Sequence, residues 1–257
     1  MRFVAARREL KTIEYETVDS TNTAAFALAR AGENGPLWVK ARKQTCGRGR
    51  RGRAWVSEPG NLHASLLLSD PGPPDRAPEL SFVAALAVHD ALSAVAPQLA
   101  PQLTLKWPND VLCNGKKICG ILVEAEGRAV VIGIGINCIR HPQTAAYPAT
   151  DLASAGAAVS AERMFSALAP ALLQRIAQWN RGTGFAAIRA DWLAHAAGLG
   201  DIVCVRTADT EIRGRHEGID DQGRLRLQLS DGGCIEIAAG EVIALAVAGA
   251  RAPHAGA

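Results

Sequence analysis

The chain has 257 residues, 48% of them apolar and 21% charged, with a net charge of +3. That is ordinary for a soluble globular protein with one substantial core, or one core and a small appended domain, and the charge is too small to argue for nucleic acid by itself. No apolar run reaches a membrane span and residues 1–5 lack a secretory hydrophobic stretch, so the cytoplasm is the expected compartment and no membrane partner is expected. Cys46, Cys113, Cys119, Cys138, Cys204 and Cys234 contain no CxxC pair and no zinc-like spacing to His63 or His89. Buried, reduced thiols are expected, rather than a disulfide framework or a zinc site.

Residues 1–18 read as a short leader. Asp19 or Ser20 as N-cap and Gly32 past the C-terminus then predict a helix of about three turns. Residues 36–41 read as a strand entering a basic stretch, 40–53, that holds Lys40, Arg42, Lys43, Arg48, Arg50, Arg51 and Arg53 with no acid. Residues 62–69 read as a buried strand, since Leu66, Leu67 and Leu68 are continuous. A proline-rich connection, 71–78, leads to a helix over 79–95. Strands follow at 103–107, 111–113, 117–125 and 129–137, with Asn114-Gly115 as a hairpin turn and Glu126-Gly127-Arg128 as a looser one. In the last strand Ile132, Ile134 and Ile136 alternate with Gly133, Gly135 and Asn137, leaving one face almost bare for a ligand or another backbone. Helices are predicted at 161–180, bent or broken at Pro170, and at 185–197. Short strands between turns then make a small β-barrel-like domain, and residues 248–257 read as a disordered tail.

Three segments carry chemistry. Gly47-Arg48-Gly49-Arg50-Arg51-Gly52-Arg53-Ala54-Trp55 joins glycines that let backbone N–H groups meet an oxyanion to arginines that bind phosphate or carboxylate bidentately. Taken alone it fits a flexible nucleic-acid-binding loop equally well. Lys106-Trp107-Pro108-Asn109-Asp110 puts a cation, an amide and a carboxylate at a strand end. In the strand after it, Lys117 points toward the same region and Gly120 admits a ligand to the backbone. Ser20-Thr21-Asn22 places hydroxyls and an amide at a helix start, which suits a polar or anionic ligand. Trp38 and Trp107 read as core or pocket walls, and His63, His89, His141, His195, His216 and His254 as packing or surface residues.

In this order and spacing, Ser-Thr-Asn, Gly-Arg-Gly-Arg-Arg-Gly-Arg-x-Trp, Lys-Trp-Pro-Asn-Asp, Lys-x-x-Gly-Ile-Leu-Val-Glu and Gly-Ile-Gly-Ile-Asn closely resemble the biotin–protein ligases. The likeness runs from about Thr17 to Asn137, and the C-terminal domain extends it to about Leu245. It implies an α+β fold, with a central mixed or antiparallel sheet flanked by helices in a ligase domain (residues 1–198). A small SH3-like β-barrel (199–247) would follow. It also implies a two-step reaction: ATP activates biotin to biotinyl-5′-adenylate, and the acyl group passes to a lysine of a biotin carboxyl carrier protein.

By matching positions, Ser20, Thr21, Asn22 and Gln44 would line the biotin end. Gly47, Arg48, Gly49 and Arg50 would close over biotin and the acyl phosphate, with Arg53 and Trp55 at the nucleotide side. Lys117 would sit on the reacting carboxylate and phosphate, making Lys117, Arg50 and Arg48 the catalytic cations, while Gly120 would contact biotin through its backbone. Lys106, Asn109 and Asn137 would belong to the nucleotide region, and Asp110 would either hold Mg²⁺ or form a structural salt bridge. Some relatives carry an N-terminal helix-turn-helix; too little chain precedes Ser20 for one, so sequence-specific DNA binding is not expected. The adenine-covering loop of the family would fall at 138–152, where Tyr147 is the aromatic residue. Monomer and homodimer both stay open. The competing readings are a lipoate- or octanoate-transferring relative and a non-catalytic nucleic-acid-binding protein.

Overall fold

In a computed structural model that describes residues 11–143 and 147–245, the larger domain is built on one seven-stranded sheet. Its strands are β1 (Thr12–Val18), β2 (Leu37–Gln44), β3 (Leu62–Ser69), β4 (Leu103–Lys106), β5 (Asp110–Cys113), β6 (Lys116–Glu126) and β7 (Ala129–Ile136), in the order β1-β2-β3-β7-β6-β5-β4. Only β1 and β2 run parallel, so the sheet is mixed, as expected. The supposed leader is in fact the edge strand β1. Its residues are half-exposed or exposed, which left its sequence without the apolar run that marks the central strands.

Strand alternation gives the sheet two different faces. Ile132, Ile134 and Ile136 of β7 and Cys119 and Ile121 of β6 point into the main core with α2 (Leu80–Val95) and α3 (Ala161–Trp179). Helix α2 is apolar nearly all round because it lies inside that core, which is what such a pattern demands. On the opposite face α1 (Thr21–Arg30) covers β2 and β3 with Ala25 and Phe26. The rest of that face, where Gly120 and Gly135 sit beyond the reach of α1, is left without a helix over it. That is where the cavity forms.

Helix α3, expected to be bent or broken at Pro170, is not broken there. Losing one backbone hydrogen bond to proline is offset there by Met164, Leu168 and Leu172, which are fully buried on both sides of it. A shorter helix, α4 (Phe185–Ala194), ends before the second domain. That domain comprises β8 (Ile202–Arg206), β9 (Glu211–Ile219), β10 (Leu225–Gln228), β11 (Cys234–Ile237) and β12 (Glu241–Leu245). Among the described residues its sheet is open, in the order β11-β10-β9-β8-β12, so the expected closed barrel is not formed. The short edge strands β11 and β12 do not pair. Closure comes from packing: Val203, Val205, Ile219, Leu225, Leu227, Ile237 and Val242 join the main core, and Trp107 Nε1 donates to Gly223 O at 3.0 Å. The expected tail, 248–257, lies outside the described residues.

The thiols split. Cys113, Cys119 and Cys138 are buried, but Cys46 and Cys234 are exposed and Cys204 is intermediate, so the expectation of uniformly buried thiols fails at the strand edges and loops. Burial pushes the Cys138 thiol up to about 11 and Cys119 further still. Trp38 and Trp107 are both core residues, and neither lines the cavity.

Candidate active site

A cavity of about 410 Å³ opens over the bare face of β6 and β7. That size suits a drug-sized ligand or larger. Ser20, Thr21, Asn22, Gln44, Arg48, Gly49, Arg50, Arg53, Trp55, Asn109, Asp110, Lys117, Gly120 and Asn137 all line it. Of the remaining expected residues, Gly47 lies at the loop's base, hydrogen-bonded through its carbonyl to Trp55 N. Lys106 is buried behind the wall, beside Asp110.

The arginine loop is ordered. Gly47 O accepts from Trp55 N at 2.9 Å, Gly49 N donates to Arg53 O at 2.7 Å, and a single turn spans Arg50–Gly52. This folds Trp55 back across the sheet. A side-chain carbon at Gly135 would lie 2.5 Å from the Trp55 indole, and one at Gly133 would lie 2.3 Å from Asn22 Oδ1. The bare face, read as room for a ligand or another backbone, is therefore filled in part by the side chains of Trp55 and Asn22. Trp55 Nε1 is left buried without an acceptor, at the cavity wall.

At the α1 end of the cavity, hydrogen bonds converge on Gln44. Gln44 Oε1 accepts from Thr21 N at 2.8 Å, and Gln44 Nε2 donates to Ser57 Oγ at 2.9 Å. Gln44 thus satisfies a donor at the start of α1 that the Ser20 hydroxyl, although at the N-cap position, does not. Ser65, fully buried on β3, lies 2.7 Å from Thr21 Oγ1 and 2.6 Å from Asn22 Oδ1. Its place in a leucine-rich strand was the one sequence signal that could have singled it out.

At the other end the cations gather. Lys106 and Asp110 are cross-strand partners on β4 and β5, with Lys106 Nζ 3.1 Å from Asp110 Oδ2. Lys117 Nζ lies 2.6 Å from Asp110 Oδ1, off the angle of a hydrogen bond. That contact pairs a partly exposed lysine at the cavity with a buried carboxylate. Lys106 is 1% exposed, and its amine also meets Val242 O at 3.1 Å and the Tyr147 ring at 3.9 Å. Tyr147, the aromatic of the 138–152 segment, is therefore committed to Lys106 as well as to the cavity wall. Burial pulls the Lys106 amine below its usual range, against Asp110. For Asp110 burial acts upward, but Lys117 and Lys106 outweigh it and hold the carboxyl below its usual range.

The four loop arginines are not equivalent. Arg48 pairs with Glu124 at 3.0 Å, Arg53 pairs with Glu241 at 2.7 Å, and Arg51 reaches Thr207 O at 3.4 Å. Arg50 meets only neutral acceptors, Gly240 O at 3.0 Å and Asn109 Oδ1 at 3.4 Å. Burial, with Arg51 beside it, lowers Arg50 from its usual range, yet a guanidinium stays charged. Among the described residues it has no carboxylate within salt-bridge distance. Glu241 and Gly240 come from the second domain, far along the chain, and no local pattern marked them.

Asp110 forms ion pairs with both Lys106 and Lys117. Among the described residues no group of three His, Cys, Asp or Glu side chains could hold a metal ion. His141, read as a packing or surface residue, sits 2.5 Å from the buried Asp151 carboxylate.

The second domain closes the cationic end of the cavity through Gly240, Glu241 and Val242. Residues 14–138 match the Biotin/lipoate A/B protein ligase family, and residues 198–244 the Biotin protein ligase C terminal domain. The biotin--[acetyl-CoA-carboxylase] ligase of Paracoccus denitrificans is 46% identical over 222 residues, which is 82% of this chain and 91% of that protein. The bifunctional ligase/repressor BirA of Bacillus subtilis is 34% identical over 86% of this chain and 70% of that protein. The solved biotin protein ligase from Aquifex aeolicus in complex with biotin and ATP superposes with a TM-score of 0.78 at 27% identity, over 90% of this chain and 97% of that one. The chain belongs to the biotin–protein ligase family.

Proposed function

We propose that this enzyme joins biotin to ATP and passes the activated acyl group to a lysine of the biotin carboxyl carrier domain of a biotin-dependent carboxylase. The observation that carries this is the convergence of Arg50 and Lys117 on one cavity, with Asp110 lying between Lys117 and the buried Lys106. In the first step a biotin carboxylate oxygen bonds to the α-phosphorus and the bond to the β-phosphate oxygen breaks, releasing pyrophosphate. Both reactants are anions. At 4 Å and an effective dielectric near 20, each pair of unit charges repels by about 4 kcal/mol. Cations fixed beforehand offset that without reorganising during the reaction.

Lys117 and Arg50 would bridge the acyl carboxylate and the α-phosphate. Ser20, Thr21, Asn22, Gln44 and the Gly120 backbone would hold biotin. Arg53, Trp55, Asn109 and Asn137 would serve the nucleotide, with Lys106 acting from behind the wall through Asp110. Mg²⁺ enters as the counter-ion of ATP, bound by its phosphates, and is part of the substrate. In the second step the neutral lysine amine attacks the acyl carbonyl, loses a proton, and AMP leaves; positioning is the main requirement. The cytoplasm is the proposed setting, where the carrier domain and free thiols coexist.

Isotope exchange between ATP and pyrophosphate tests the first step. Exchange that needs biotin supports the reading. Exchange that needs lipoate or octanoate would move the chain to that branch. No exchange, with strongly salt-dependent RNA or DNA binding, would make the loop a nucleic-acid contact.

A further inference from the structure

Lys106 does not line the cavity, yet it is a charged group buried directly behind it. It is 1% exposed and meets acceptors alone: Asp110 Oδ2 at 3.1 Å, Val242 O at 3.1 Å and the face of the Tyr147 ring at 3.9 Å. A carboxylate, a carbonyl and a π face are the partners of an ammonium, which donates and cannot accept. Burying such a charge is costly even when it is paired, so a lysine at this position calls for a reason beyond packing.

The charges around Asp110 supply that reason. Its buried carboxylate stands between two amines, Lys106 on the wall side and Lys117 on the cavity side, the latter with Nζ 2.6 Å from Oδ1. Glu241, the acid of the second domain at this end, is already paired with Arg53 at 2.7 Å. Two cations against one anion leave the trio with a net positive charge. Without Lys106, Asp110 and Lys117 would form a neutral pair, and the cavity-facing amine would be neutralised by its own protein before a substrate oxygen reached it. None of the three belongs to the arginine loop: they sit on β4, β5 and β6, with Lys106 and Asp110 as cross-strand partners.

We infer that Lys106 is a positioning residue that supplies the counter-charge of Asp110, so that Lys117 keeps its positive charge for the reacting oxygens. This rests on reading the cavity as the site where ATP activates a carboxylic acid. It also gives the second domain a part in the chemistry, because Val242 O on β12 helps to hold the buried amine from 136 positions along the chain.

A double-mutant cycle tests this, read as kcat of biotin-dependent ATP–pyrophosphate exchange well below each variant's thermal midpoint. Lys106→Met leaves Lys117 in place but pairs it with Asp110 alone, so kcat should fall about tenfold, less than for outright loss of a fixed donor. The KM values for biotin and ATP should stay within about threefold of wild type. Once Asp110→Asn has removed the anion, no counter-charge is needed, and adding Lys106→Met should lower kcat by less than about twofold. Lys106→Arg, which keeps the charge, should lie between wild type and Lys106→Met. If Lys106→Met alone does not fold, Lys106→Gln takes its place, since it keeps a donor for Val242 O and lacks the charge. An equal loss in both backgrounds, wild-type kcat in Lys106→Met, or a raised KM for ATP with kcat unchanged would overturn the inference. Failure of the underlying reading looks different, because wild type itself would then lack biotin-dependent exchange. Exchange that depends on lipoate or octanoate would carry the same cycle, whereas a wild type inert with all three acids would remove the inference together with the reading.

Discussion

Replacing Asp110 by Asn removes the carboxylate between Lys106 and Lys117 while nearly preserving its volume. Lys106 is 1% exposed, and its other partners, Val242 O and the Tyr147 ring, are neutral. Removing one partner of a buried ion pair costs about 3–5 kcal/mol, because the remaining charge is stranded. Here the lower end applies, about 3 kcal/mol, since the amide still accepts a hydrogen bond and Lys117, 26% exposed, can turn to water. For a chain of this size that lowers the thermal midpoint by roughly 6–12 °C. Circular dichroism melts near neutral pH measure it.

The pH dependence has a definite sign. The folded-state value of Asp110 is depressed, so its contribution is present above the ordinary aspartate range and is lost as pH falls through the depressed value. The gap between wild type and Asp110→Asn should therefore narrow on acidification. Adding Lys106→Met to Asp110→Asn should recover most of the loss, since no buried charge is then left alone. A midpoint drop under about 2 °C at neutral pH, or a gap that widens in acid, would refute the reasoning.

Other perturbations separate the parts of the site. Lys117→Ala should lower biotin-dependent exchange by about 100-fold, the usual loss for one fixed donor at developing charge; a change of only a few-fold would remove Lys117 from that role. Arg50→Gly should let biotinyl-adenylate escape, so that lysines of an unrelated added protein become biotinylated; retention of the adenylate as in wild type argues against it. Gly133→Ala should weaken biotin binding in calorimetry with ATP binding intact, because the new methyl would displace Asn22. Glu241→Gln frees Arg53 and should raise the KM for ATP several-fold while leaving that for biotin near its original value.

Local chemistry was legible in the sequence where it sits close together along the chain. Lys106 and Asp110 flank a tight turn, and the Asn114-Gly115 turn, with both residues at positive φ, returns Lys117 to the same end of the sheet. The alternation of isoleucine and glycine in β7 marked a bare face correctly, but not that Trp55 and Asn22 would fill it. What stayed hidden was long-range. Glu124 meets Arg48 across 76 positions and Glu241 meets Arg53 across 188, and no periodicity encodes such pairs. Pro170 misled for a related reason, because a local penalty was judged without the buried Leu168 and Leu172 that outweigh it. The second domain's strands were recognisable from their turns, whereas its open sheet depends on which edges fail to pair, a property of packing against the ligase domain.

Transfer to the carrier is the step that all of this geometry serves. Mass spectrometry of a purified biotin carboxyl carrier domain, after incubation with this enzyme, ATP, Mg²⁺ and biotin, should show a single added biotinyl group on one lysine. An unmodified carrier domain under the same conditions, with the enzyme folded and ATP intact, would contradict it.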